Sequence, residues 1–318
     1  MAIHFHTEFQ IPTQSGLITL DTPVLTWGSC FADEMAKRMH DMKFWIEANS
    51  HGIIFNAASI NKAITDVVAN KVYEAKDLFK YNDLWHSWHH HGSFSNMDVQ
   101  QALVKINTSN ELFHEKVKEA QLVILTLGTA WIYHLREQNI DVANCHKVQG
   151  FSFDKRLQSV STIKNALQDS IQKLKELNPE LNILLTVSPV RYLKDGIVEN
   201  SRSKAHLLCA VHEIVDANAQ CYYFPAYELM VDDLRDYRFM AADMAHPSLE
   251  ATDYIWEKFI ATYLTDSDKT CLSAIKSFTQ LSSHKPLHTG TSQFYAWQDK
   301  CSKLEVGLKL RYPHLCWE

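Results

Sequence analysis

A chain of 318 residues with 46% hydrophobic and 21% charged side chains has the composition of an ordinary globular protein, and its length predicts one large domain or a domain plus an appendage. A formal net charge of −6 and the lack of a dense basic block argue against a nucleic-acid partner. No apolar run approaches the roughly 18 residues that span a bilayer. The first ten residues do not read as a leader, and the seven cysteines are scattered without a CxxC pair. A reduced, cytoplasmic protein with no membrane partner is expected.

Taken in order, residues 1–20 read as an extended N-terminal arm. The apolar run 24–27 predicts a buried strand that leads into Gly28-Ser29-Cys30-Phe31-Ala32. A helix follows, with Phe31, Met35, Met39 and Met42 on one face and Asp33 and Glu34 in its first turn. Residues 53–55 form a short apolar piece, and Ile60, Ile64, Val67 and Val68 then mark a helical face. The strongest central strand is 122–127, closed by Gly128. Ile163, Leu167, Ile171 and Leu174 set a helix that stops near Asn178-Pro179. A buried strand over 183–187 ends at Ser188-Pro189, a helix covers roughly 200–218, and a strand follows at 222–224. The last core helix begins after His246, with Pro247 suited to its first turn, and carries Tyr254, Ile255, Phe259 and Leu264. Residues 267–318 read as a helical extension, around 274–281 and 294–310. The predicted division is thus an arm (1–20), a main domain (21–266) and the extension (267–318).

Strands that alternate with helices predict an α/β domain with parallel strands and crossover helices. Ligands of such sheets bind beyond the carboxyl ends of the strands. That singles out residues 28–31, 128–131, 188–191 and the loop that ends at His246. At the first of these, a strand-to-helix turn sets a glycine, a serine and a thiol where free N–H groups and the helix dipole favour negative charge. The plain alternative is that Gly28 relieves the turn, Ser29 caps the helix and Cys30 packs. Asp243-Met244-Ala245-His246 is a DxxH in which the carboxylate can orient the imidazole. With 17 histidines in the chain, that pattern alone is weak. It gains force because the nucleophile-bearing turn opens the domain and this pair closes it.

Several segments in order, TWGSCFADEM (26–35), HGIIFNAASI (51–60), VILTLGTAW (123–131), ANCHK (143–147), TVSPVRYLKDG (186–196), FPAYELMVDDLRDYRF (224–239) and ADMAHPS (242–248), resemble the GSCFA-domain family, which is regarded as a branch of the SGNH/GDSL hydrolase superfamily. The resemblance spans roughly residues 20–265. It implies a three-layer α/β/α sandwich with a flavodoxin-like parallel sheet. It also implies an ester hydrolase or acyltransferase acting on a small-molecule or saccharide ester, with His246 as base and Asp243 as its orienter. In the superfamily the first block reads Gly-Asp-Ser with serine as nucleophile. Register therefore favours Cys30 and chemical type favours Ser29, and a thiol whose pKa is lowered at a helix N-terminus inclines the choice to Cys30. Gly52 is implied as an oxyanion donor. The third block keeps Gly128 but has Ala130 where an asparagine donor is expected, which leaves Asn56 and Thr129 as substitutes.

Gly28, His51, Gly128, Trp131, Ser188 and Arg191 are expected to contact substrate, Arg191 as a possible clamp for an anion. Residues 85–91 hold four histidines and two tryptophans. They read first as a plain surface loop, next as a substrate-lining loop, and least as a metal site, since adjacent histidines point apart. Cys145 and His146 suit pocket lining. No cofactor or metal is predicted, and the oligomeric state is not indicated. The competing reading is a catalytically inactive or reduced member that binds a ligand in the same cleft. A nucleotide site is disfavoured by the lack of GxGxxG or P-loop spacing.

Overall fold

A computed structural model of the chain describes residues 10–284 and 286–317. The N-terminal half of the predicted arm, residues 1–9, lies outside the described residues. Ten strands and nine helices occur among the described residues. Five strands, β1 (Val24–Gly28), β2 (Ile46–Ala48), β5 (Leu122–Leu127), β9 (Asn182–Val187) and β10 (Cys221–Phe224), make one wholly parallel sheet in the order β10-β9-β5-β1-β2. The strand pleat divides their side chains between two cores. Leu25, Trp27, Val123, Leu125, Leu127, Ile183, Leu185 and Val187 face α2 (Ala57–Val68), α3 (Val99–Glu119), α4 (Val160–Leu177) and α5 (Ile197–Ala217). Val24, Leu122, Ile124, Leu184 and Phe224 face α1 (Cys30–Asp41), α7 (Leu249–Tyr263) and α8 (Asp266–Ser283). This is the expected α/β/α sandwich.

Two departures from the sequence reading matter for the site. Residues 53–55 form no strand; the second strand of the sheet is Ile46–Ala48, a short, partly exposed edge that periodicity does not mark. The last core helix begins at Leu249 with Ser248 as its cap, Oγ accepting from Ala251 N, so Pro247 stands before the helix and bridges to Met240 instead. Beyond the main sheet, β6 (Trp131–Leu135), β7 (Ile140–Val142) and β8 (Phe153–Leu157) form an antiparallel sheet between β5 and α4, and β3 (Phe79–Tyr81) pairs with β4 (Leu84–His86) in a hairpin. A short helix α6 (Ala226–Glu228) follows β10. Cys271, Leu272 and Ile275 of α8 join the second core, whereas α9 (Ser292–Arg311) buries only Leu308.

Candidate active site

The turn after β1 is fixed by close approach. A Cβ on Gly28 would fall 2.5 Å from the Thr126 carbonyl oxygen, so only glycine lets β1 meet β5 here. The Gly28 amide donates to Asn49 Oδ1 (2.7 Å) and the Ser29 amide to Thr126 O (3.2 Å). Ser29 occupies the N-cap position of α1 in extended conformation, yet its hydroxyl does not cap the helix; its Oγ is buried without a partner. Cys30 is the first helical residue, and the N–H groups of Phe31 and of Cys30 itself face its sulfur.

On the opposite side of the turn stands the loop that precedes α7. Cys30 Sγ lies 3.5 Å from His246 Nε2, and His246 Nδ1 lies 2.6 Å from Asp243 Oδ2. The other carboxylate oxygen of Asp243 accepts the amides of Ala245 and His246, each at 3.0 Å. Those amides, the one from His246 first, hold the carboxyl down at about 2. The loop is tied to the strand ends by Arg191 N–H, which donates to Ala245 O (2.8 Å). With Nδ1–H directed at the carboxylate, Nε2 is left to accept the thiol proton. The thiol itself sits above its ordinary pKa because burial outweighs the Phe31 and Cys30 amides and Lys204, with Asp33 adding to the rise. This corrects the expectation of a lowered thiol. Burial thus favours the protonated thiol.

The other expected residues divide sharply. Ser29 Oγ is buried without a hydrogen-bond partner, whereas the His246 ring nitrogens meet Cys30 and Asp243. Gly28, Ser188 and His51 are buried and cannot touch a ligand: Ser188 and His51 are both 0% exposed. His51 instead stacks on His90 with ring centroids 4.0 Å apart and meets Ser50 Oγ through Nδ1 (2.9 Å). Gly52 is needed for its backbone (φ +73°, with His91 Cβ 2.5 Å from a built Cβ), but its N–H already donates to Asn49 O (2.7 Å), so it is not a free oxyanion donor. The Thr129 hydroxyl is engaged with Ser203 Oγ (2.9 Å) and accepts from Trp131 N (3.2 Å). Asn56 caps α2 through Oδ1, accepting from Ser59 N (2.9 Å), which leaves its NH₂ end as the donor. Arg191 lies over the Tyr237 ring (5.5 Å). The segment 85–91 is not a plain surface loop: His86, Ser87, Trp88 and His90 are buried, and Trp88 stacks on Phe79 at 3.6 Å. Among the described residues no three His, Cys, Asp or Glu side chains converge to hold a metal ion.

Next to the turn is a cavity of about 500 Å³. Asn56, Thr129, Phe55 and His91 are among its lining, Cys30 and His246 are not, and Gly128 stands between it and the turn, since a Cβ built there would lie 2.9 Å from Phe55 Cβ and 3.5 Å from Ser29 Cβ. Trp131, Tyr133, Tyr192 and Phe153 form aromatic walls, and Cys145 and His146 line it as expected. Lysines Lys147 and Lys194 stand at its lining and no carboxylate does. Behind the wall Lys155, ion-paired with Asp195, lies 5.0 to 5.6 Å from the rings of Trp131, Tyr133 and Tyr192.

The sequence profile of the GSCFA family matches residues 23–259. The chain belongs to the GSCFA family. No curated protein matches its sequence. Solved structures similar to this GSCFA chain include a Streptococcus pneumonia protein provisionally described as a platelet activating factor (11% identity, 75% of this chain and 82% of that one, TM-score 0.40). Others are an acetyl esterase variant crystallised with acetate (9%, 80% and 99%, TM-score 0.37) and a carbohydrate esterase family 3 protein from Talaromyces cellulolyticus (7%, 80% and 99%, TM-score 0.37). At these TM-scores none of them bears on the chemistry of the site.

Two residues of the GSCFA site escape sequence reading. Asn49 links the turn to the first turn of α1, accepting from Gly28 N and donating to Asp33 Oδ1, and nothing in its neighbourhood announces this role. Lys204, on α5, is 1% exposed and donates to Gly128 O (2.7 Å) and Ser188 O (2.6 Å). Its signal was present: Lys204 lies in register with Leu207, Val211 and Ile214 on the buried stripe of the helix, where a lysine is out of place.

Proposed function

We propose that the protein is a thiol-dependent ester hydrolase or acyltransferase with Cys30 as nucleophile, His246 as base and Asp243 as the group that fixes the imidazole. The observation that carries the reading is the chain of contacts from Cys30 Sγ through both His246 nitrogens to Asp243, at 3.5 and 2.6 Å. As His246 Nε2 takes the thiol proton, sulfur attacks the acyl carbonyl. The oxyanion is met by the Cys30 and Phe31 amides at the N-terminus of α1, with the Asn56 NH₂ as a side-chain donor. Collapse breaks the ester C–O bond, and His246 returns its proton to the leaving alcohol. The resulting thioester is released by water, or by an alcohol or amine acceptor, again with His246 as base.

The cavity supports a substrate class. Aromatic walls suit the face of a sugar or aryl ring, and lysines without a lining carboxylate suit a negative charge, so the reading is an anionic ester, an acidic acylated saccharide among the candidates. Prior engagement of the Gly52 amide and the Thr129 hydroxyl favours the second reading, a member that binds such a ligand without turnover. Mass-mapped labelling by an activated acyl ester, in the wild type and in His246→Ala, tests the proposal. Labelling at Cys30 that depends on His246 is the expected result. Equal labelling of both proteins, at the rate of an ordinary thiol, refutes catalysis and leaves the binding reading.

A further inference from the structure

Lys204 is the one buried lysine among the described residues, and its surroundings do not account for it as a structural ion pair. Its hydrogen-bond partners are two main-chain carbonyls, those of Gly128 and Ser188, and the Tyr227 ring lies 5.8 Å from Nζ. A buried ammonium held by dipoles alone costs several kcal/mol relative to a paired one. Gly128 and Ser188 directly follow β5 and β9, so Nζ bridges the ends of the two central strands at the edge where Cys30 emerges. Gly128 is in turn packed against Ser29, with 3.5 Å between a Cβ built on Gly128 and Ser29 Cβ. The lysine is thus set behind the nucleophile turn, where a negative charge on Cys30 favours its protonated form.

We infer that Lys204 is a positioning residue of the Cys30 site: it locks the two strand ends beneath the turn and sets a positive charge where negative charge forms on the sulfur. The inference rests on the reading of Cys30 as nucleophile. Burial lowers Lys204 to about 7, while Cys30 pulls it back up, so near neutrality the ammonium persists best when the sulfur is charged. The groups that face this pair are His246 and Asp33 around Cys30 and Tyr227 beside Lys204.

The test is the pH profile of Cys30 alkylation by iodoacetamide, mapped by mass, in the wild type, Lys204→Met, Lys204→Gln and His246→Ala. Glutamine keeps NH donors for the carbonyls and lacks the charge. Both Lys204 variants are expected to move the profile to higher pH by about one unit, a tenfold slower reaction at neutrality. A profile restored by glutamine, or unchanged in both folded variants, overturns the inference. If His246→Ala leaves alkylation unaltered, the Cys30–His246 reading itself fails, whatever Lys204 does. Should both Lys204 variants fail to fold, the lysine stays in place and the sulfur is changed. The Lys204 ionisation midpoint, followed by NMR of isotope-labelled lysine, is expected higher in Cys30→Asp than in Cys30→Ser, and equal midpoints overturn the inference.

Discussion

Replacing Asn49 by alanine removes the side chain that joins β1 to the start of α1, and the structure sets the size of the effect. The Gly28 amide is buried and loses its acceptor, which costs about 1–3 kcal/mol. The Asp33 carboxylate loses its Asn49 donor; being only half-buried it is screened, and we discount that loss to about 1 kcal/mol. Asn49 also adopts φ +56°, where a Cβ-bearing residue without a local amide pays a further ~1 kcal/mol. The sum is a destabilisation of about 3–5 kcal/mol. Urea denaturation with an unchanged m-value measures it directly. Glycine at this position has no positive-φ penalty but gains freedom when unfolded, so Asn49→Gly is expected within about 1 kcal/mol of Asn49→Ala. Burial already holds the Asp33 carboxyl above its usual range, with Asn49 pulling it down, so the folded state disfavours its charge. That cost is present at neutral pH and vanishes below the unfolded value near 4, so the carboxylate part of the loss shrinks in acid. A loss under 1 kcal/mol, or full rescue by glycine, would refute the hydrogen-bond reasoning.

Ser29→Ala removes a buried hydroxyl that has no partner, so stability is expected to hold within about 1 kcal/mol and acyl labelling to persist, whereas Cys30→Ala abolishes labelling; loss of labelling in Ser29→Ala would transfer the nucleophile role. His246→Ala is expected to slow acyl transfer by about 10²–10⁴-fold, measured as single-turnover thioester formation. Lys194→Glu is expected to raise KM for a carboxylated aryl ester by about tenfold while a neutral ester of the same alcohol changes little; equal effects on both esters count against an anionic substrate. Acid should unfold the protein in two stages. His90 and His51 are held below the imidazole range by burial, and His89 and His146 are lowered to about 4, so stability falls as pH drops through about 6.5, where the unfolded chain takes up protons. Asp66 is held low because the His51 imidazole 3.8 Å away and hydrogen bonds from Lys62 and Tyr73 together outweigh its burial, so a second loss follows as pH falls below about 4. A stability curve flat between pH 7 and 5 would contradict the histidine stage.

What sequence reading recovers here is what hydrophobicity encodes. β1, β5 and all of β9 after Asn182 are buried and therefore appear as apolar runs, the partly buried edge strand β10 shows as a short aromatic run, and α2 and α4 show a clean 3.6-residue stripe. β2 is a partly exposed edge of three residues, and β6 to β8 face a cavity on one side, so their alternation is diluted by Tyr, His, Lys and Asp. The pairing of Cys30 with Asp243 and His246 was legible because each lies at the carboxyl edge of the same sheet, a consequence of topology. The charge state of the thiol was not legible, since it depends on how deeply α1 sinks between β1 and α7 and on which charges converge there. That difference has a mechanistic consequence. On the proposed reading, a sulfur whose proton is held by burial needs a base close by, the place His246 takes at 3.5 Å, and charge compensation that does not rely on solvent, the part assigned to the α1 amides and Lys204. Ser29 and Cys30 therefore differ less in chemistry than in address: one hydroxyl is buried without a partner, while the neighbouring thiol lies 3.5 Å from the His246 imidazole.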